Sequence, residues 1–237
     1  MTRYRFRPPL SAPEEFGGGP PRYRRTEEDG LLVERDVPVR MRDGITLYAD
    51  VFRPPDGTPA APLIGWGPYG KHGPTHMPTH FPTAEVTEKE VSRHAAFEAV
   101  DPVYWVPKGY AVINVDPRGT WYSEGRATYL SPEEARDYYD LIEWAGTQPW
   151  STGKVGLAGV SYLAFAQWHV AALNPPHLAA INPWEGWTDL YREIVRHGGI
   201  PETHFWPYLP GRWGRSTTEV EDLRLETAER PFIDDYW

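Results

Sequence analysis

The sequence predicts an α/β fold built on a mostly parallel sheet, with a serine held on a strand-to-helix turn. Short apolar runs at residues 62–66, 111–115 and 154–159 are separated by stretches of helical character, the pattern of parallel strands covered on both faces. Ser131-Pro132-Glu133-Glu134 opens a helix whose residues Ala135, Tyr138, Ile142 and Ala145 recur on one face, and a buried strand follows, which makes an α/β crossover. Gly159-Val160-Ser161-Tyr162 then joins the last of these strands to a helical run from Leu163 to Leu173. A serine at that junction is the arrangement of a nucleophile elbow.

The chain begins with a Pro-, Gly-, Arg- and Glu-rich stretch, residues 1–30, centred on Gly17-Gly18-Gly19-Pro20-Pro21. It reads as an irregular arm, able to lie across an acidic surface of its own chain or of a partner subunit. Residues 33–40 and 45–52 alternate apolar and polar, and Arg42-Asp43-Gly44 between them signals a hairpin. Residues 31–182 are taken as the first part of the core. In the helix at 131, Ser131 suits the N-cap, Pro132 the first helical position, and Glu134 the third, completing a capping box; Gly146 suits the terminator. After Pro183 the pattern turns irregular and aromatic, with Trp184, Trp187, Tyr191, Phe205, Trp206, Tyr208 and Trp213. Residues 183–237 are expected to start a helical cap over the site.

Composition bounds the function. The 237 residues are enough for one sizeable core, and 11 Trp and 14 Tyr mark a globular chain. A net charge of −9 with no basic stripe excludes a nucleic-acid partner. No apolar run is long enough to span a membrane. The start Met1-Thr2-Arg3-Tyr4-Arg5 has no apolar stretch behind it, so no secretory signal is visible and the chain reads as cytoplasmic. With no cysteine, disulfides and thiolate chemistry are excluded. His72, His76 and His80 are spaced four apart, as metal-binding histidines on a helix face are, but Pro74 and Pro78 interrupt any helix there. No metal and no cofactor is expected.

The ordered set of motifs is more specific than any one of them. Arg42-Asp43-Gly44 precedes Leu47-Tyr48-Ala49-Asp50-Val51-Phe52-Arg53-Pro54 and Pro68-Tyr69-Gly70-Lys71. Asn114-Val115-Asp116-Pro117-Arg118-Gly119 and Ser123-Glu124-Gly125 come next, then Glu143-Trp144 and Gln148-Pro149-Trp150-Ser151. Gly153-Lys154-Val155-Gly156, the elbow, Asp189-Leu190-Tyr191-Arg192 and Asp234-Asp235-Tyr236-Trp237 complete the series. From about residue 33 onward the chain resembles the cocaine-esterase-like acyl hydrolases and their X-prolyl dipeptidyl-peptidase and α-amino-acid ester hydrolase relatives, which implies an α/β-hydrolase fold.

The resemblance implies that Ser161 is the acyl-accepting nucleophile, with the Tyr162 backbone N–H and the Tyr69 phenol as oxyanion donors. Two donors fixed in a water-poor pocket stabilise a tetrahedral intermediate strongly. Asp116 and Arg118 are expected to be architectural. Trp184, Trp187, Tyr191, Phe205 and Trp206 are the candidate lining of the acyl pocket. The chain departs from the pattern with Leu163 two residues after the serine and Ala164 three after it, where the general motif and the family respectively have Gly. Such hydrolases order their triad as Ser, acid, His, and the resemblance puts acid and base beyond the Asp234–Trp237 motif. His169, His177, His197, His204 and Asp189 are weak substitutes. The expectation is therefore a partial enzyme that lacks the triad Asp and His and is weak alone, acting on a small ester, amide or short peptide. The base would come from the remaining C-terminal part of the enzyme or from a partner chain, and a homo-oligomer stays open. The alternative is a non-catalytic ligand- or subunit-binding module on the same fold.

Overall fold

The computed structural model describes residues 4–16, 19–72, 82–87, 89–211 and 213–237. Its centre is a seven-stranded sheet of β2 (Arg24–Glu28), β3 (Leu31–Arg40), β4 (Thr46–Arg53), β5 (Ala61–Trp66), β6 (Tyr110–Asp116), β7 (Val155–Val160) and β8 (Leu178–Trp184), in spatial order β2-β3-β4-β6-β5-β7-β8. The strands that read as continuous apolar runs, β5, β6 and β7, pair in parallel, β5 with each of the others; β8, which the sequence does not announce, pairs in parallel with β7. The alternating strands β3 and β4 form the expected antiparallel hairpin across Asp43-Gly44, and β4 joins the parallel half antiparallel to β6.

The principal helices are α2 (Pro132–Gly146) and α3 (Tyr162–Ala171). Each is fixed locally. Ser131 Oγ caps α2 by accepting the Glu134 N–H at 3.1 Å, with Pro132 at the first helical position as predicted. The expected return arm of the capping box does not form. The Glu134 carboxylate instead accepts from the Leu130 N–H, from Trp66 Nε1 at 2.6 Å and from the Tyr162 hydroxyl. A buried carboxylate with three donors offered by the core is drawn inward rather than back along its own helix. Trp66 stacks on Tyr138 with centroids 4.6 Å apart, and Ile64, Leu141, Ile142, Leu157, Phe165 and Val170 complete the core between sheet and helices. Each such side chain contributes about 1.5–3 kcal/mol by leaving water.

The first 30 residues are more regular than predicted. β2 pairs with β3 across the turn at Asp29-Gly30, a hairpin whose outer strand, Arg-Arg-Thr-Glu-Glu, hides its strand character behind charge. β1 (Phe6–Arg7) pairs antiparallel with β9 (Val220–Glu221). The arm therefore lies on an acidic surface of its own chain, with the Arg5 N–H on Glu226 at 2.7 Å and its guanidinium on Glu229. α1 (Pro102–Trp105) precedes β6; α4 (Phe205–Tyr208) and α5 (Leu223–Glu229) follow β8 among short irregular turns. Among the described residues no helix is long and apolar enough to cross a membrane.

Candidate active site

Ser161 stands between β7 and α3 with φ 57° and ψ −120°, a left-handed conformation that costs a non-glycine residue on the order of 1–3 kcal/mol and persists only where the surroundings impose it. They do so here. The Ser161 N–H donates to Trp184 O at 3.1 Å and the Val160 N–H to Glu98 O at 3.0 Å, so both sides of the turn are pinned. Gly159 must lack a side chain, because a Cβ there would lie 2.4 Å from Leu163 Cβ.

Leu163, the departure from the G-x-S-x-G pattern, fits because the structure clears room for it. Its side chain occupies the space left by Gly65, Gly67 and Gly159; a Cβ on Gly67 would come within 2.4 Å of Leu163 Cδ1. Ala164 is matched in the same way by Gly186, where an added Cβ would fall 2.9 Å from the alanine methyl. Glycines on neighbouring strands and loops thus replace the one missing from the elbow.

Tyr69 follows β5 on the loop that faces the elbow. Its partly buried ring packs edge-on against Phe97 at 5.0 Å and Tyr162 at 6.4 Å between centroids. Its phenol lies beside the Ser161 side chain and the Glu98 carboxyl, close enough to interact with both, and the Trp213 indole faces it. Burial pushes the Tyr69 pKa far up, and the neighbouring Glu98 pushes the same way, so the phenol stays protonated and available as a donor. Burial likewise raises Glu98 to about 8, against the pull of the neighbouring Tyr69 phenol.

The loop is held from beneath by charge. The Lys71 N–H donates to Asp116 Oδ1 at 2.8 Å, and its buried ammonium lies 2.7 Å from Asp36, 3.5 Å from Asp116 and 4.0 Å from Asp50. His72 Nδ1 lies 3.1 Å from Asp50 and Nε2 3.4 Å from Asp36. Burial opposes its charge, but these two carboxylates prevail and hold its pKa at about 9. Trp121 Nε1 donates to Pro68 O at 3.2 Å and closes the loop from the other side.

Asp36, Asp50 and His72 place ligand atoms within 4.8 Å of one another, yet the Lys71 ammonium already supplies the cation. His76 and His80 lie outside the described residues. Asp116 is architectural through Lys71. Arg118 is architectural through a two-pronged pair with Asp137 at 2.6 and 2.7 Å and a contact to Asp43 at 2.8 Å, which ties the loop after β6 to α2 and the hairpin.

Tyr162 starts α3, where the helix itself supplies no acceptor for the first N–H groups, and its hydroxyl is anchored on Glu134, which burial holds at about 7. The aromatic candidates separate. Trp206 is a core residue that donates to Thr227 Oγ1 at 3.1 Å and meets Trp213 edge-on. Trp187 stacks on Phe165, and Tyr191 packs on Trp237 with its hydroxyl on Pro231 O. Trp184, which ends β8 beside Ser161, and Phe205 stay exposed.

Most of the described histidines are engaged elsewhere. His94 pairs with Asp29 and Arg35, His177 with Glu143, and His204 with Thr203. His169 and Asp189 line a cavity of about 440 Å³ whose wall does not include Ser161. Glu98 and Lys71 are the site residues to which the sequence assigns no role. Glu98 sits in Ala96-Phe97-Glu98-Ala99, which carries no motif, whereas Lys71 was quoted as part of Pro-Tyr-Gly-Lys without one.

Comparison with known proteins bears on the fold and the family. The chain is 34% identical over 160 residues to the cocaine esterase of Rhodococcus sp. (strain MB1 Bresler), covering 68% of this chain and 25% of the esterase. It is 27% identical over 152 residues to the Xaa-Pro dipeptidyl-peptidase of Streptococcus gordonii, covering 55% of this chain and 20% of that one. A crystal structure of a CocE/NonD family hydrolase from Staphylococcus aureus superposes with a TM-score of 0.83 at 39% identity, over 94% of this chain and 42% of that one. The fold is therefore that of the α/β-hydrolases, and the chain spans less than half the length of these relatives. Residues 43–226 match the model of the X-Pro dipeptidyl-peptidase (S15) family, and the chain belongs to that family.

Proposed function

We propose that the protein is a serine acyl hydrolase in which Ser161 attacks the carbonyl of a small ester, amide or short peptide and carries the acyl group. The observation that supports this most is the contact between the Tyr69 phenol and the side chain of Ser161 on its left-handed turn. A carbonyl attacked by Ser161 Oγ would place its oxyanion beside that phenol and the Tyr162 N–H, two donors that need not reorganise. The relatives' printed names, an esterase and a dipeptidyl-peptidase, are consistent with either ester or amide cleavage.

In this reading the general base and its acid partner are not among the described histidines: His72, His94, His177 and His204 face Asp36, Asp29, Glu143 and Thr203 in turn, His169 lines the separate cavity, and no contact ties His197 to Ser161. We place them outside the described residues, in the remaining part of a longer enzyme or in a partner chain. Trp184 and Phe205 are the exposed aromatics left to grip an acyl group. The test is intact-mass and peptide analysis of the active protein mixed with a slow ester. The expected result is one added acyl group on the Ser161 peptide, absent in Ser161→Ala. Full ester turnover by Ser161→Ala would rule Ser161 out as the nucleophile, and a parent protein that neither turns over nor becomes acylated would favour a binding module.

A further inference from the structure

Glu98 is placed at the elbow by two independent contacts. Its backbone carbonyl accepts the Val160 N–H, one residue before the serine, at 3.0 Å. Its carboxyl lies beside the Tyr69 phenol, close enough for each to shift the other's ionisation. The other carboxyl oxygen, Oε2, is buried with no hydrogen-bond partner among the described residues. Buried acceptors are rarely left unpaired, and an ionised carboxylate there would be costly. The backbone adds a second irregularity. Glu98 has φ 63° in a turn closed by the Ala99 N–H on Ala96 O at 3.2 Å, a conformation that glycine or asparagine adopts more readily. A glutamate there is unfavourable for the turn and places a carboxyl behind the oxyanion tyrosine.

We propose that Glu98 is a positioning residue that works as a neutral carboxylic acid, donating its proton to the Tyr69 oxygen so that the Tyr69 O–H is turned toward the oxyanion. The inference rests on the reading of Tyr69 as an oxyanion donor. A chain of donors, Glu98 O–H to Tyr69 O–H to oxyanion, strengthens the last bond through polarisation. An ionised Glu98 does the opposite, because it accepts the Tyr69 proton for itself and sets a negative charge beside the developing one. No proton is transferred through the chain. Burial is the physical reason the acid stays neutral near pH 7, with its pKa at about 8. Among the described groups, Tyr69 is the titratable side chain that faces it; Lys71 and His72 are committed to Asp36, Asp50 and Asp116.

The test compares Glu98→Gln, Glu98→Ala and Tyr69→Phe in the active protein with a neutral ester and with an ester that carries an ammonium group. Glu98→Gln keeps a neutral donor, so kcat at pH 7 should stay within about 3-fold of the parent. Its kcat should also lose the fall above about pH 8 that ionisation imposes on the parent. Glu98→Ala should lower kcat about 10-fold at unchanged KM, less than the roughly 10²–10³-fold for a donor in direct contact. Difference infrared spectra at pH 7 should show a protonated carboxyl that disappears in Glu98→Gln. If that band is absent, if Glu98→Gln keeps the alkaline fall, or if the Gln and Ala variants are equally impaired, the proposal is overturned. A KM change confined to the ammonium ester would overturn it in favour of a cation subsite. These failures leave Tyr69 in place if Tyr69→Phe is still slow. An unimpaired Tyr69→Phe overturns the oxyanion reading and this inference together.

Discussion

Lys71 binds Asp116 twice, through its backbone N–H at 2.8 Å and its ammonium at 3.5 Å. The pair fastens the loop carrying Tyr69 to the carboxyl end of β6, and it carries Asp36 and Asp50 with it. Lys71→Met would leave three buried carboxylates without their central cation. Breaking such a cluster from one side costs about 3–5 kcal/mol, and the expected result is a loss of that size in denaturant unfolding. A loss under about 1 kcal/mol would show that the cluster does not hold the loop.

Tyr69→Phe should lower kcat about 10²–10³-fold with a smaller change in KM, the cost of one oxyanion donor. The ring keeps its contacts with Phe97 and Tyr162, so the thermal melt should barely move. Steady-state kinetics beside that melt separates chemistry from packing.

Gly67→Ala should destabilise the fold by about 1–3 kcal/mol, the range for overpacking a filled core. The added methyl meets Leu163 Cδ1 and Cγ. Leu163→Ala in the same chain should recover part of the loss. Additive costs in that double variant would mean that Leu163 does not fill the space over Gly67.

Stability should fall as the solution turns alkaline. Glu98, Glu134 and Glu221 have folded pKa values raised by burial from 4.5 to about 8, 7 and 8. A raised pKa means stability that is fully present below the unfolded value and is lost as pH rises through the folded one. His72, raised from 6.5 to about 9 by Asp36 and Asp50 against its burial, loses its contribution in the same direction. Asp36 and Asp50 are shifted down from 3.8, so their contribution is lost only in acid. The melting temperature should therefore drop steadily between pH 6 and 9.5, and Glu221→Gln should flatten part of that slope. A flat or rising profile across this window contradicts the assignment.

Much of the fold was legible because its signals are local. Apolar runs gave the parallel strands β5, β6 and β7 but not β8, alternation gave β3 and β4, and Ser131-Pro132 gave the start of α2. β2 was not legible, since an edge strand of Arg, Thr and Glu has no buried face to imprint a period. Glu134 was placed at the right helical position but given the wrong partners, because Trp66 and Tyr162 reach it from 68 and 28 residues away. The elbow and Tyr69 were readable as motifs. Glu98 was not, because its role depends on a turn that the sequence Ala-Phe-Glu-Ala does not announce. The aromatic stretch showed composition without direction: Trp206 and Trp184 look alike in sequence, yet one lies in the core and the other is 60% exposed.

The central claim is that Ser161 is the nucleophile and that Tyr69 serves its oxyanion. Peptide mapping of the active protein after reaction with an organophosphonate probe tests it most directly, because the phosphonyl adduct imitates the tetrahedral intermediate. The account predicts a single adduct on Ser161, none in Ser161→Ala, and slower labelling in Tyr69→Phe. An adduct on another serine, or an active protein that stays unlabelled, would contradict it.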